Sequence, residues 1–175
     1  AGCAGSGDNG ATGATPAPTQ SNTGSDSNGG SIAKIGIGHV TTIASSKDKT
    51  DEAGPIGQVD TVMAAVGFDS AGKVISVTID NGQTRVDFDK DLKLVSNPAD
   101  EYKTKVELGD EYGMIKGSDI GKEWYEQIAE LEKWMVGKTA DEIKAMKTVE
   151  QDASHPAVPD DPELTSLVTL SVQDY

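Results

Sequence analysis

Chemistry needs suitable side chains held close together, and the richest supply lies between positions 112 and 136. Both tryptophans, Trp124 and Trp134, and two of the four tyrosines, Tyr112 and Tyr125, fall there in a chain that is only 5% aromatic. Met114 follows Tyr112 after one glycine. Trp124, Ile128, Leu131 and Met135 recur at helical spacing, and such a stripe is ordinarily core. The turn Tyr112-Gly113-Met114, with Tyr125 and Trp134, lies off the centre of that stripe. These residues are therefore candidates for the wall of a cleft, and a wall of rings suits a flat aromatic ligand.

Other chemistries find little support. Asp87, Asp89 and Asp91 start like a calcium loop, but Leu92 stands where glycine belongs and Pro98 where the closing glutamate belongs. His39 and His155 are far apart, and the one cysteine, Cys3, sits at the other end of the chain, so no structural zinc site is expected. No glycine-rich phosphate loop follows a strand, and no nucleophile stands at a recognisable spacing from a base. With 29 acidic against 15 basic residues the net charge is −14 and the pI near 4.4. Nucleic acid is not an expected partner, because its phosphates need a basic stripe.

The elements that must position the aromatic residues are readable in outline. The helix carrying Trp124 is expected to be capped by Ser118 or Asp119, with Glu123 and Glu126 near its positive end. Gly137 suits a left-handed stop, and Thr139 with Glu142 makes a capping box for a second short helix. Upstream, Ile35–Ile43 reads as a glycine-weakened strand, 45–58 as a loop, and Val59–Phe68 as a second strand. Lys73–Asp80 alternates, with Ile75, Val77 and Ile79 on the buried face. Asn81-Gly82 predicts a hairpin into a further strand over Gln83–Asp89. The fold class is thus α+β: an antiparallel meander packed against one or two amphipathic helices. Glu163–Val172 reads as a last strand with Leu164, Leu167 or Val168, and Leu170 in the core. It shows no stop before Tyr175, as if the domain continued.

Residues 1–31 hold almost nothing apolar beyond alanine and read as a disordered tether before a domain over 32–175. Ala1-Gly2-Cys3 resembles the end of a bacterial lipoprotein signal, in which the cysteine is lipidated. That resemblance implies an extracytoplasmic protein anchored to the cell membrane through Cys3.

A second resemblance covers about residues 33–175. A meander carrying Phe68-Asp69-Ser70-Ala71-Gly72-Lys73-Val74, then Tyr112-Gly113-Met114, then Gly121-Lys122-Glu123-Trp124-Tyr125-Glu126-Gln127, then a threonine-rich terminal run, is similar to FMN-binding-domain lipoproteins of Gram-positive anaerobes. These are relatives of the flavin-carrying subunits of membrane redox complexes. The resemblance implies FMN as cofactor, electron transfer, and a redox partner protein at the cell surface. The family's acceptor motif, D-x-x-S-G-A-T, aligns Glu163 with the aspartate, Ser166 with the serine and Thr169 with the esterified threonine. Leu167 and Val168 replace the glycine and alanine, adding bulk where a backbone approaches a phosphate. Tyr112, Met114, Trp124 and Tyr125 would be the flavin's walls. The alternative is a non-catalytic ligand- or protein-binding module that kept the fold and lost flavin.

Overall fold

The computed structural model describes residues 30–175. Cys3, the residue expected to carry a lipid, and nearly all of the expected tether lie outside those residues. The architecture is α+β. Three antiparallel strands, β1 (Lys34–Thr42), β2 (Ile56–Phe68) and β3 (Val74–Asp87), lie in the order β1-β2-β3. Helices α1 (Lys105–Leu108), α2 (Trp124–Met135) and α3 (Ala140–Lys144) follow, with short 3₁₀ turns at Gly109–Tyr112 and Met114–Lys116. A two-residue ladder, β4 (Thr148–Val149) with β5 (Val158–Pro159), lies near the C-terminal side.

The sheet departs from expectation at Asn81-Gly82. Instead of turning, β3 runs straight through: Asn81 pairs with Val62 and Gly82 with Thr61. The two strands expected on either side of this dipeptide are one. The reason is β2, whose 13 residues offer ladder partners along the whole length of β3. Continuous pairing outweighs the turn preference of two residues. The tight turn lies earlier, at 69–73, where the Asp69 carboxylate accepts from the N–H groups of Ala71 and Lys73, both at 2.8 Å.

The inner face of the sheet carries Val62, Val77 and Ile79 into the core. Val74 is also buried, against simple alternation, because a bulge pairs Phe68 with Val74 but Gly67 with Ser76. Helix α2 covers this face with Trp124, Ile128, Leu131 and Met135, the stripe its periodicity predicts. Gly137 ends the helix at φ 83°, and Thr139 with Glu142 caps α3.

Two further expectations are corrected. The residue at the N-cap of α2 is Glu123, not Ser118 or Asp119, and the Glu126 carboxylate accepts from its N–H at 2.8 Å. The stretch Glu163–Val172 forms successive turns rather than a strand. The N–H groups of Leu164 and Thr165 donate to the Asp161 carbonyl, and Val168 N–H donates to the Leu164 carbonyl, each at 2.9 Å. Leu164, Val168 and Val172 are buried at a spacing of four. The backbone groups bond locally, which sets Leu164, Val168 and Val172 on one side against the core.

Candidate functional site

The site is best built from a turn and a short helix that meet over the polar end of the sheet. Thr104 caps α1: its hydroxyl accepts from Glu107 N–H at 3.2 Å, and the Glu107 carboxylate accepts from Thr104 N–H at 2.8 Å. A bridge between Gly82 and Thr104, and a bond from Val106 N–H to the Asp80 carboxylate at 3.2 Å, fix α1 against β3. Lys105, its first residue, is thereby held over the aromatic turn. Its ammonium lies 4.9 Å from the ring centroid of Tyr112 and 5.2 Å from that of Trp124. Among the described residues it makes no ion pair and no hydrogen bond. Burial pushes its pKa down, against the opposing pull of negative charge at Tyr175, then Asp60 and Asp80.

Glu123 holds the aromatic turn in place. Only 2% of its surface is exposed, and its carboxylate accepts from Met114 N–H at 2.8 Å and Ile115 N–H at 3.0 Å. One carboxylate thus joins the start of α2 to the turn at Gly113, whose φ is 76°. Tyr112 is set beside Lys105 by this clamp. Burial, then the charges of Asp60 and Glu123, raise the Tyr112 pKa.

The floor is polar. Asp60 is buried and accepts from Gln58 Nε2 and Gln83 Nε2, both at 2.9 Å. Burial alone would raise its pKa, but these bonds and the Lys105 charge hold it below the usual carboxylate range. Asn81, on the same face and the next pair along, is 6% exposed, and its side-chain oxygen has no partner among the described residues. A cleft of about 380 Å³ opens beside Lys105, lined also by Gln83, Tyr102, Lys103 and Leu108, with Glu101 and Glu111. That is within the size range of small-ligand sites, which starts at roughly 300 Å³.

The residues expected from the sequence are divided among five places. Tyr112 and Trp124 meet at Lys105, although Trp124 is core, 1% exposed, with its indole N–H directed at the Tyr175 hydroxyl at 3.3 Å. Tyr125 stands apart and donates its hydroxyl to Asp110 at 3.1 Å. Trp134 is buried, with Lys138 over its ring at 4.3 Å. Met114 and Thr169 share a different, small cleft with Ser118, Asp119, Gln151 and His155. Glu163 and Ser166 are exposed on the turns of the terminal segment and do not line it.

Those residues do not fit a flavin esterified to Thr169. The cleft holds about 60 Å³, far less than a tricyclic ring needs. The Thr169 hydroxyl and N–H both donate to the Gln127 side-chain oxygen, at 3.3 and 2.8 Å. Val168 is fully buried, which fixes the backbone on one side, and Asp119 would face a phosphate with like charge. Gln127, itself fully buried, was signalled by its place on the apolar stripe, three residues after Trp124. Lys105 and Glu123 had no such signal.

No family model matches the chain, and neither a curated protein nor a solved structure matches it.

Proposed function

We propose that residues 32–175 form a non-catalytic ligand-binding domain, without flavin, of an extracytoplasmic protein held to the membrane by a lipid on Cys3. The reading rests chiefly on Lys105: a desolvated ammonium, flanked by two ring faces and in no direct ion pair among the described residues, beside a cleft of about 380 Å³. Such a cation binds most strongly to whatever completes its coordination, because charge interactions gain strength where water is thin. Tyr102 and Leu108 add apolar wall, Gln83 adds a neutral polar group, and the cleft also takes in Glu101 and Lys103, the latter paired with Glu111 at 3.4 Å. The ligand class that suits this set is a small organic anion with an apolar body. In this reading the resemblance to FMN-binding lipoproteins extends to the scaffold and the anchor, and no electron-transfer partner is needed.

The test uses benzoate as the probe and the full chain. Trp124 lies beside Lys105, so binding should change tryptophan emission in a saturable way, and Lys105→Met should abolish the change. Absence of saturation up to roughly 10 mM, where the affinity would be negligible, sinks the proposal. A parallel titration with FMN that quenches flavin fluorescence and yields a yellow protein would restore the flavin reading instead.

A further inference from the structure

The two edges of the sheet are treated differently. The edge of β3 is covered: the Glu132 carboxylate accepts from Ile79 N–H at 2.6 Å, Gly82 bridges to Thr104, and Lys73 bridges to Thr139. The edge of β1 is open among the described residues, since β1 pairs with β2 alone. Ladder alternation says which groups are left over. Phe88 N–H donates to the Pro55 carbonyl, and Ile56 exchanges bonds with Lys47, so odd members of β2 face β3 and even members face β1. On β1 the even residues therefore bond to β2. Ile35, Ile37, His39 and Thr41 turn their N–H and C=O groups outward.

The same residues point their side chains away from the helices. Ile35 is 76% exposed and Ile37 85%, beside Met63 and Ala65 of β2 on that face. Natural edges are usually blunted by proline, central charges, bulges or a covering segment. Here β1 runs nine residues with Lys34 as its one lysine, at the very end, and no proline. Its charge is also unusual for the chain. Residues 30–47 contain no carboxylate, although the whole sequence has 29 acidic residues. Along the strand itself two copies of a protein of net charge −14 can approach without carboxylates opposite each other; Asp174 lines the cleft beside Gly38 and Val40 on the helix-side face.

We propose that β1 pairs antiparallel with β1 of a second copy, joining two three-stranded sheets into one of six strands. A two-fold axis at Ile37 makes the contact self-complementary. Ile37 then faces Ile37 of the other copy in a hydrogen-bonded pair, Ile35 faces His39, and Gly36 faces Gly38. The outward backbone groups of Ile35, Ile37 and His39 are satisfied, Thr41 falls opposite Ala33, whose N–H already donates to the Phe68 carbonyl, and the two glycines leave the helix-side face free of clashes. This pairing is independent of the ligand reading at Lys105.

Sedimentation velocity on the full chain, with Cys3→Ser to prevent adventitious disulfides, tests it. The expected result is a concentration-dependent dimer whose dissociation constant rises at least about tenfold in Ile37→Lys, with Tm unchanged when both proteins are melted dilute enough to be monomeric, because Ile37 lies on the surface of the single copy. Ile37→Cys in the same background should cross-link under mild oxidation, because facing Cα atoms in such a pair lie about 5.5 Å apart. A chain that stays monomeric throughout overturns the proposal, and that is also the outcome if an acidic peptide from another protein is the natural occupant. A dimer indifferent to Ile37→Lys, or one that does not cross-link, overturns it as well.

Discussion

Replacing Glu123 with alanine should damage this protein more than any change to an exposed carboxylate. The carboxylate accepts two backbone N–H groups, Met114 at 2.8 Å and Ile115 at 3.0 Å, in a position only 2% exposed. Alanine leaves both donors without a partner, and water cannot readily replace it. A bond to a charged acceptor contributes about 1.5–3 kcal/mol, so the loss should be about 3–5 kcal/mol. For a folded unit of roughly 145 residues, 1 kcal/mol lowers Tm by about 2–4 °C, and the total drop should be about 6–20 °C. Glu123→Gln keeps one acceptor and turns an amide N–H₂ toward the other donor, so it should lose roughly half as much. Differential scanning calorimetry measures the stability. Hydrogen exchange gives a local check, since the amides of Met114 and Ile115 should lose protection in both variants. A Tm within about 2 °C of the parent for Glu123→Ala would falsify the clamp and, with it, the account of how Tyr112 reaches Lys105.

Three further outcomes follow from the same geometry. Lys105 is depressed by burial, so the fold disfavours its charged form at neutral pH. Lys105→Met should therefore raise Tm at pH 7, and the gain should shrink as pH climbs through the lowered pKa toward the unfolded value, as thermal melts across pH would show. Glu132 is raised by burial against the opposing bond from Ile79 N–H, with Asp80 adding to the rise. Its ionisation costs stability above the unfolded pKa, so Glu132→Gln, which keeps an acceptor for Ile79, should be more stable than the parent at pH 7 and no different below about pH 4, where both are neutral. Gly137 has φ 83° and donates to the Val74 carbonyl at 2.8 Å; Gly137→Ala should cost about 1 kcal/mol in a denaturant titration, and Gly137→Asn less.

The parts of the fold legible in the sequence are those fixed by local periodicity. The stripe from Trp124 to Met135 and the Thr139–Glu142 capping box depend on residues within one turn of each other, and both stand as read. Asn81-Gly82 was misleading because its turn preference is local while its fate was decided by β2, some twenty residues earlier. The run from Glu163 to Val172 has strand composition, but its backbone closes in local turns from Asp161 onward, and its buried residues Leu164, Val168 and Val172 follow a spacing of four rather than two. The site was harder still. Tyr112 and Trp124 were nominated for their chemistry, yet the group that joins them is Lys105, and the surrounding Asp60, Asn81 and Gln83 come from the middle of the sheet. Glu123 looked like a dipole-compensating helix residue; its reach back to Met114 depends on a 3₁₀ turn that the sequence does not announce.

The exposure of β1 also has a mechanical meaning. Not one of its nine residues is buried, while the packed centre is assembled from α2, β2, β3 and the terminal turns. Tension arriving along the preceding chain enters at Ala33 and Lys34, where it meets the end of the β1–β2 ladder. Bonds there open one after another, like a zip, before any force reaches Trp124 or Leu131. β1 can thus peel away while the packed centre stays covered.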